Sequence, residues 1–144
     1  DAVIAGVWRA LRPGGRFVAE CGGDGCVARI VAALTSVLAR RGVDGRAANP
    51  WYFPTVDDYQ ARLEARGFTV TSIALIPRPT PLPGAMTAWL ETFAEPFTAS
   101  LPPADHAPFL TEVEKELRPA LCDAAGRWSA DYVRLRFAAS RPPA

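Results

Sequence analysis

Apolar side chains at Val3, Ile4, Val7, Trp8 and Leu11 recur with helical spacing, so the pattern predicts a first helix with one buried face. It gives way at Arg12-Pro13-Gly14-Gly15-Arg16, where Pro13 presets φ and Gly14 supplies the positive φ of a type II turn. Phe17–Glu20 follows as a strand. Cys21-Gly22-Gly23-Asp24-Gly25 reads as a loop, with Asp24 as N-cap of the next helix. Val27, Ile30, Val31, Leu34 and Leu38 mark one face of that helix, which Gly42 is placed to end. Thr55 and Asp58 have capping-box-like spacing ahead of a short helix carrying Tyr59 and Leu63.

Phe68 to Ile76 is rich in β-branched residues and reads as a strand, which Pro77, Pro79, Pro81 and Pro83 are expected to stop. Two helices follow, one buried through Met86, Trp89, Leu90, Phe93 and Phe97, the other through Leu110, Val113, Leu117 and Leu121. Asp105 lies near the start of the second, and Pro96 and Pro119 are expected to kink or shorten the pair. From Trp128 to Ala138 the period changes to two, with Val133, Leu135 and Phe137 facing one way and Tyr132, Arg134 and Arg136 the other. This is a half-buried strand, and the Pro-rich tail from Ser140 is expected to be loose.

A chain of 144 residues, 49% apolar and 22% charged, suits one compact domain, taken as residues 1–144. A net charge of +1 without a separate basic block argues against nucleic acid as a partner. No apolar run approaches the ~18–20 residues of a membrane helix, so no membrane partner is expected. The three cysteines favour reduced thiols and a cytoplasmic setting.

The helix–RPGG–strand passage resembles the fifth strand of class I S-adenosylmethionine (SAM)-dependent methyltransferases. Within that superfamily, Asn49-Pro50-Trp51-Tyr52-Phe53-Pro54, the Tyr59 helix, Arg78-Pro79-Thr80 and Trp89-Leu90 with Phe93 resemble the branch that includes trans-aconitate methyltransferases. The resemblance implies an α/β fold. The chain would be the C-terminal portion of a Rossmann-like sheet, with three strands, the last antiparallel and central. Flanking helices and a helical lid insertion at 77–126 would complete it. It also implies that SAM is the parent protein's cofactor. The family's cofactor loop and acidic residue have no counterpart here, and Gly22-Gly23-Asp24-Gly25 lacks full GxGxxG spacing, so this chain alone is not expected to bind SAM.

Methyl transfer needs donor and acceptor held in line, an anchor for acceptor charge and a wall against water. Substrate contacts are therefore expected from Trp51, Tyr52, Arg78 and Trp89: the aromatics from loop and helix, the guanidinium from a stiff Pro-flanked position. Core packing competes for Trp89 and Phe93, and carbonyl bonding for Arg78. No catalytic, cofactor or metal residue is assigned, since a single histidine leaves Cys21 and Cys26 without a tetrahedral set. The reading is a substrate-side portion of a SAM-dependent methyltransferase acting on a small molecule, a carboxylic acid among the options, inactive alone. The alternative is a non-enzymatic self-associating module. Either way the edge at Phe17-Val18-Ala19 is expected to attract a second copy as a homodimer or to be blocked by a rearrangement.

Overall fold

The computed structural model describes residues 1–143, so Ala144 of the expected loose tail lies outside the described residues. In chain order the elements are α1 (Ala2–Ala10), β1 (Arg16–Gly22), α2 (Ala28–Arg40), α3 (Val56–Ala65), β2 (Thr69–Pro81), α4 (Met86–Phe93), α5 (Glu95–Thr98), α6 (His106–Leu121) and β3 (Ser129–Ser140). The strands form one sheet in the order β1-β3-β2, so the last strand of the chain is central. It runs antiparallel to β1, from Arg16 opposite Ser140 to Gly22 opposite Arg134. On its other side Thr71 Oγ1 donates to the Ala138 carbonyl at 2.9 Å and the Leu82 N–H to Trp128 O at 2.8 Å, so β2 is antiparallel to it as well. The expected α/β arrangement, with a central antiparallel last strand and flanking helices, is the observed one.

The chain forms two compact units. The first comprises Asp1–Cys26, Tyr52–Arg78 and the segment from Val133, and the second Val27–Trp51 and Pro79–Tyr132. Strands β2 and β3 pass from one unit into the other.

In the first unit, Ile4, Leu63, Phe68, Leu135, Phe137 and Ala139 form a core against which Trp8, Phe17 and Tyr59 pack. Phe17 meets Phe137 edge-on at 4.8 Å and Trp8 meets Phe68 edge-on at 4.9 Å, the geometry that ring quadrupoles favour. Val3 was expected on the buried face of α1 but is exposed, because the stripe that reaches the core is Ile4, Val7, Trp8 and Leu11. The start of the tail is not loose. Arg141 donates to the Trp8 and Leu11 carbonyls at 2.8 and 2.7 Å, satisfying the end of α1 with a cation where the helix dipole welcomes one.

In the second unit α6 packs against α2 and α4. Ile30, Leu34, Val37 and Leu38 of α2 are fully buried, as are Phe109 and Val113 of α6 and Met86 and Leu90 of α4. Each large apolar side chain so buried contributes about 1.5–3 kcal/mol. Gly42 ends α2 as expected: its φ of +73° lets the Val43 N–H close on Leu38 O at 3.0 Å.

Three local expectations need correction. Asp24 does not cap α2, which begins at Ala28 after Val27 in the left-handed region; the carboxylate at its first turn is that of Asp131, accepting from the Arg29 N–H at 2.8 Å. Strand β2 is not stopped at Pro77 but runs through Pro77 and Pro79 to Pro81. It is an edge strand, and prolines two apart place their missing N–H on the side away from β3, where no ladder bond is lost. Pro119 leaves α6 intact to Leu121, whereas the helix around Pro96 divides at Ala94 into α4 and α5. Thr55 does cap α3, accepting from the Asp58 N–H at 3.2 Å.

Candidate functional site

In the first unit, β3 alternates sides, so Arg134 and Arg136 stand together on the sheet face opposite the core. Glu20 of β1 lies opposite Arg136 in the ladder. Its carboxylate accepts from Arg136 Nε and NH2 at 2.9 and 2.7 Å, from Arg134 Nε at 3.2 Å and from Arg78 NH1 at 2.8 Å. These bonds, those from Arg136 foremost, hold the Glu20 carboxyl below its usual range against the opposing effect of desolvation. Arg78, an expected substrate residue, is thus one of three guanidinium groups around a single carboxylate. Glu20, Arg134 and Arg136 were not read as site residues. The i, i+2 spacing of the two arginines was the available signal, but their partner is more than a hundred residues away in sequence.

Tyr52 lies in the same unit in a different cluster. Its hydroxyl donates to the Asp58 carboxylate, which also accepts from Arg62 Nε at 3.0 Å, and the Arg62 guanidinium lies over the Tyr52 ring at 5.4 Å. Partial desolvation, then the Asp58 bond, raises the phenol above its ordinary range, so Tyr52 keeps its proton at neutral pH. The ring is exposed although the hydroxyl is engaged.

The second unit brings the two tryptophans together. Trp51 packs on Trp89 at 6.1 Å between ring centroids and on Phe97 at 5.5 Å. Trp89 Nε1–H donates to the Tyr132 hydroxyl at 2.8 Å, which fixes the indole plane. Phe93 touches Trp89 at 4.9 Å but is about half exposed, correcting the expectation that it is buried. Trp89 and Phe93, with Leu82, Pro83 and Ala85, line an apolar pocket of about 280 Å³. Such a pocket can shelter a hydrocarbon group and has little to offer a charge.

The glycine-rich loop does not fit a cofactor cradle. A Cβ on Gly22 would lie 2.7 Å from Phe53 Cδ1, and one on Gly23 would meet Leu75 and, at 2.8 Å, Leu135 Cβ. Those glycines make room for protein side chains, not for a ligand. Burial raises the Cys21 thiol above its ordinary range despite Arg134, so it is not an activated nucleophile. Among the described residues no group of three or more His, Cys, Asp or Glu is placed to hold a metal, and no helix is long and apolar enough to cross a membrane.

No family model matches the chain. It is 40% identical over 143 residues to a Schizosaccharomyces pombe protein described as an uncharacterized methyltransferase, a match covering 96% of this chain and 54% of the relative. The chain therefore spans about half the length of that relative. The similarity supports the methyltransferase level of the resemblance. It does not support the trans-aconitate branch, since the relative's description names no acceptor. Among solved structures, a Haemonchus contortus phosphoethanolamine N-methyltransferase 2 in complex with phosphomonomethylethanolamine and S-adenosylhomocysteine matches 99% of this chain and 29% of its own, at 16% identity and a TM-score of 0.34. That likeness is too distant to bear on the acceptor.

Proposed function

We propose that this chain is the acceptor-side portion of a SAM-dependent methyltransferase acting on a small molecule, with a carboxylic acid as the acceptor class. The observation that carries the reading is the 40% identity to a methyltransferase across almost the whole chain. In support, the strands at hand offer a guanidinium cluster able to anchor a negative charge and a separate aromatic pocket able to exclude water from an apolar group. A carboxylate acceptor is already ionised at neutral pH and needs no general base. The methyl donor would be held by residues outside this chain, since Gly22 and Gly23 close on Phe53, Leu75 and Leu135. None of the three cysteines is joined in a disulfide, which suits a reducing, cytoplasmic setting.

The test is a calorimetric titration of SAM, with S-adenosylhomocysteine in parallel, into this chain and into a protein that extends it to the length of the yeast relative. Expected are no saturable heat from the chain alone at millimolar ligand, and saturable binding with methyl transfer to a carboxylic acid from the longer protein. Saturable binding by the chain alone, or none by the longer protein, overturns the reading.

One observation favours a second reading, a self-associating module. Strand β1 is at the sheet edge and its Val18 side chain is 58% exposed. The Arg141 N–H bonds to Gly15 O and the Gly23 N–H to Val133 O, so odd-numbered residues of this strand face β3. The backbone groups of Arg16, Val18 and Glu20 are then left on the open side, where a second copy could add a strand.

A further inference from the structure

We infer that the apolar groove beside Trp89 and Phe93 of α4 binds a two-ring aromatic group of a small-molecule ligand. The inference deepens the acceptor-side reading and rests on it for the ligand's biological use, although binding itself needs no cofactor.

The lining sets the ligand's chemistry. Leu82, Pro83, Ala85 and Ala88 bring only hydrocarbon side chains, and no titratable residue lines the groove. Its two polar side chains are already engaged: Thr92 Oγ1 donates to Ala88 O at 2.9 Å, and Trp89 Nε1 to the Tyr132 hydroxyl at 2.8 Å. A polar group entering here would shed water and gain no side-chain partner in return. The part of the ligand held in the groove is therefore hydrocarbon, and any charge it carries stays outside.

The two rings favour an aromatic group over an alkyl chain. Trp89 and Phe93 lie one helical turn apart, 4.9 Å between centroids and tilted by 45°. Ring quadrupoles reward a further ring packed offset or edge-on against such a pair. Phe93 is 48% exposed, which is apolar surface a ligand would cover. The walls are also fixed in advance. Tyr132 and the packed Trp51 hold the indole, the Leu82 N–H donates to Trp128 O at 2.8 Å, and the Thr87 N–H donates to the Glu114 carboxylate at 3.1 Å. Walls held in this way lose little freedom when a ligand arrives.

Size selects the occupant. The groove holds about 280 Å³. A dry cavity of about 150 Å³ takes benzene, so this volume suits roughly ten carbon atoms, the size of two fused rings. Eight residues line the groove, whereas a stable protein interface needs about 20–30 residues a side, which favours a small molecule over a second copy of the chain. Strand β2 ends at Pro81 and Leu82 opens the groove, so it lies at the carboxyl end of a strand, where open α/β sheets bind their ligands.

The test is calorimetry and saturation-transfer NMR on this chain with 2-naphthoate, benzoate, decanoate and acetate, whose shared carboxylate keeps charge constant. Saturable binding of 2-naphthoate is expected, at least tenfold tighter than benzoate, with transfer to its ring protons and a shift of the Trp89 Nε1–H signal. Acetate should not bind. Ala88→Trp fills the groove from an exposed helix position and should weaken 2-naphthoate at least tenfold, with the circular dichroism and urea midpoint of the parent retained. No saturable 2-naphthoate binding, or equal binding by Ala88→Trp, overturns the site. Decanoate binding as tight as 2-naphthoate overturns the aromatic assignment in favour of an alkyl chain. Self-association of the parent that disappears in Ala88→Trp overturns the small-molecule assignment in favour of a second copy. Failure of the SAM titration leaves these outcomes untouched, so the two readings fail separately.

Discussion

Gly23→Ala puts one methyl group where the first unit has no space for it. The new Cβ would stand 2.8 Å from Leu135 Cβ and 3.1 Å from Leu135 N, while also meeting the Leu75 side chain. Carbon atoms rest at about 3.5–4.0 Å, so the shortfall is about 1 Å. Leu75 can swing aside, but Leu135 cannot: it is fully buried on the central strand, paired with Cys21 of β1. Overpacking of this kind costs about 1–3 kcal/mol, and a collision with main-chain atoms of a central strand belongs in the upper half, about 2–3 kcal/mol. With a urea m-value of about 2 kcal/mol/M, the midpoint should fall by about 1–1.5 M. Tryptophan fluorescence during urea unfolding reads this directly. Gly84→Ala is the control: nothing lies within 4 Å of its Cβ and its φ is not positive, so it should stay within about 0.5 kcal/mol of the parent. A Gly23→Ala midpoint within about 0.25 M of the parent, or an equal loss in Gly84→Ala, would refute the close-approach account of this loop.

Two further outcomes are expected. Glu20 has its folded pKa lowered, chiefly by Arg136, so it contributes stability above its unfolded pKa that is lost as pH falls through the folded value. Thermal melts should show Glu20→Gln less stable than the parent at neutral pH, with the gap closing below about pH 4; a gap that stays constant through the acid range contradicts the ion cluster. Val18→Lys should abolish any concentration-dependent dimer in sedimentation equilibrium while leaving the monomer folded, because Val18 is exposed on the open edge. A dimer that survives the change is not built on β1.

Elements governed by local chemistry were legible in the sequence. The Thr55 cap, the positive φ of Gly14 and Gly42, and the period-two alternation of β3 all follow from residues within a few positions of one another. What could not be read was set by distant partners. Asp131 serves the start of α2 from 102 positions away, displacing the local candidate Asp24. Pro77, Pro79 and Pro81 read as stops because a sequence does not reveal that β2 is an edge strand. The candidate site divides in the same way. Arg78 was singled out for its stiff backbone, whereas the cluster that gives it meaning needs β1 and β3 beside each other. Trp51 and Trp89 were named separately, and the contact between them crosses 38 positions of chain.

The prolines of β2 have a consequence for where along this sheet a second copy could join. Their outward side offers no donors at Pro77, Pro79 or Pro81, so the second half of that margin is a poor template for a neighbouring strand. The opposite margin, β1, keeps its donors and acceptors. A strand added along β2 would therefore find donors only over its first half, whereas β1 offers them over its whole length.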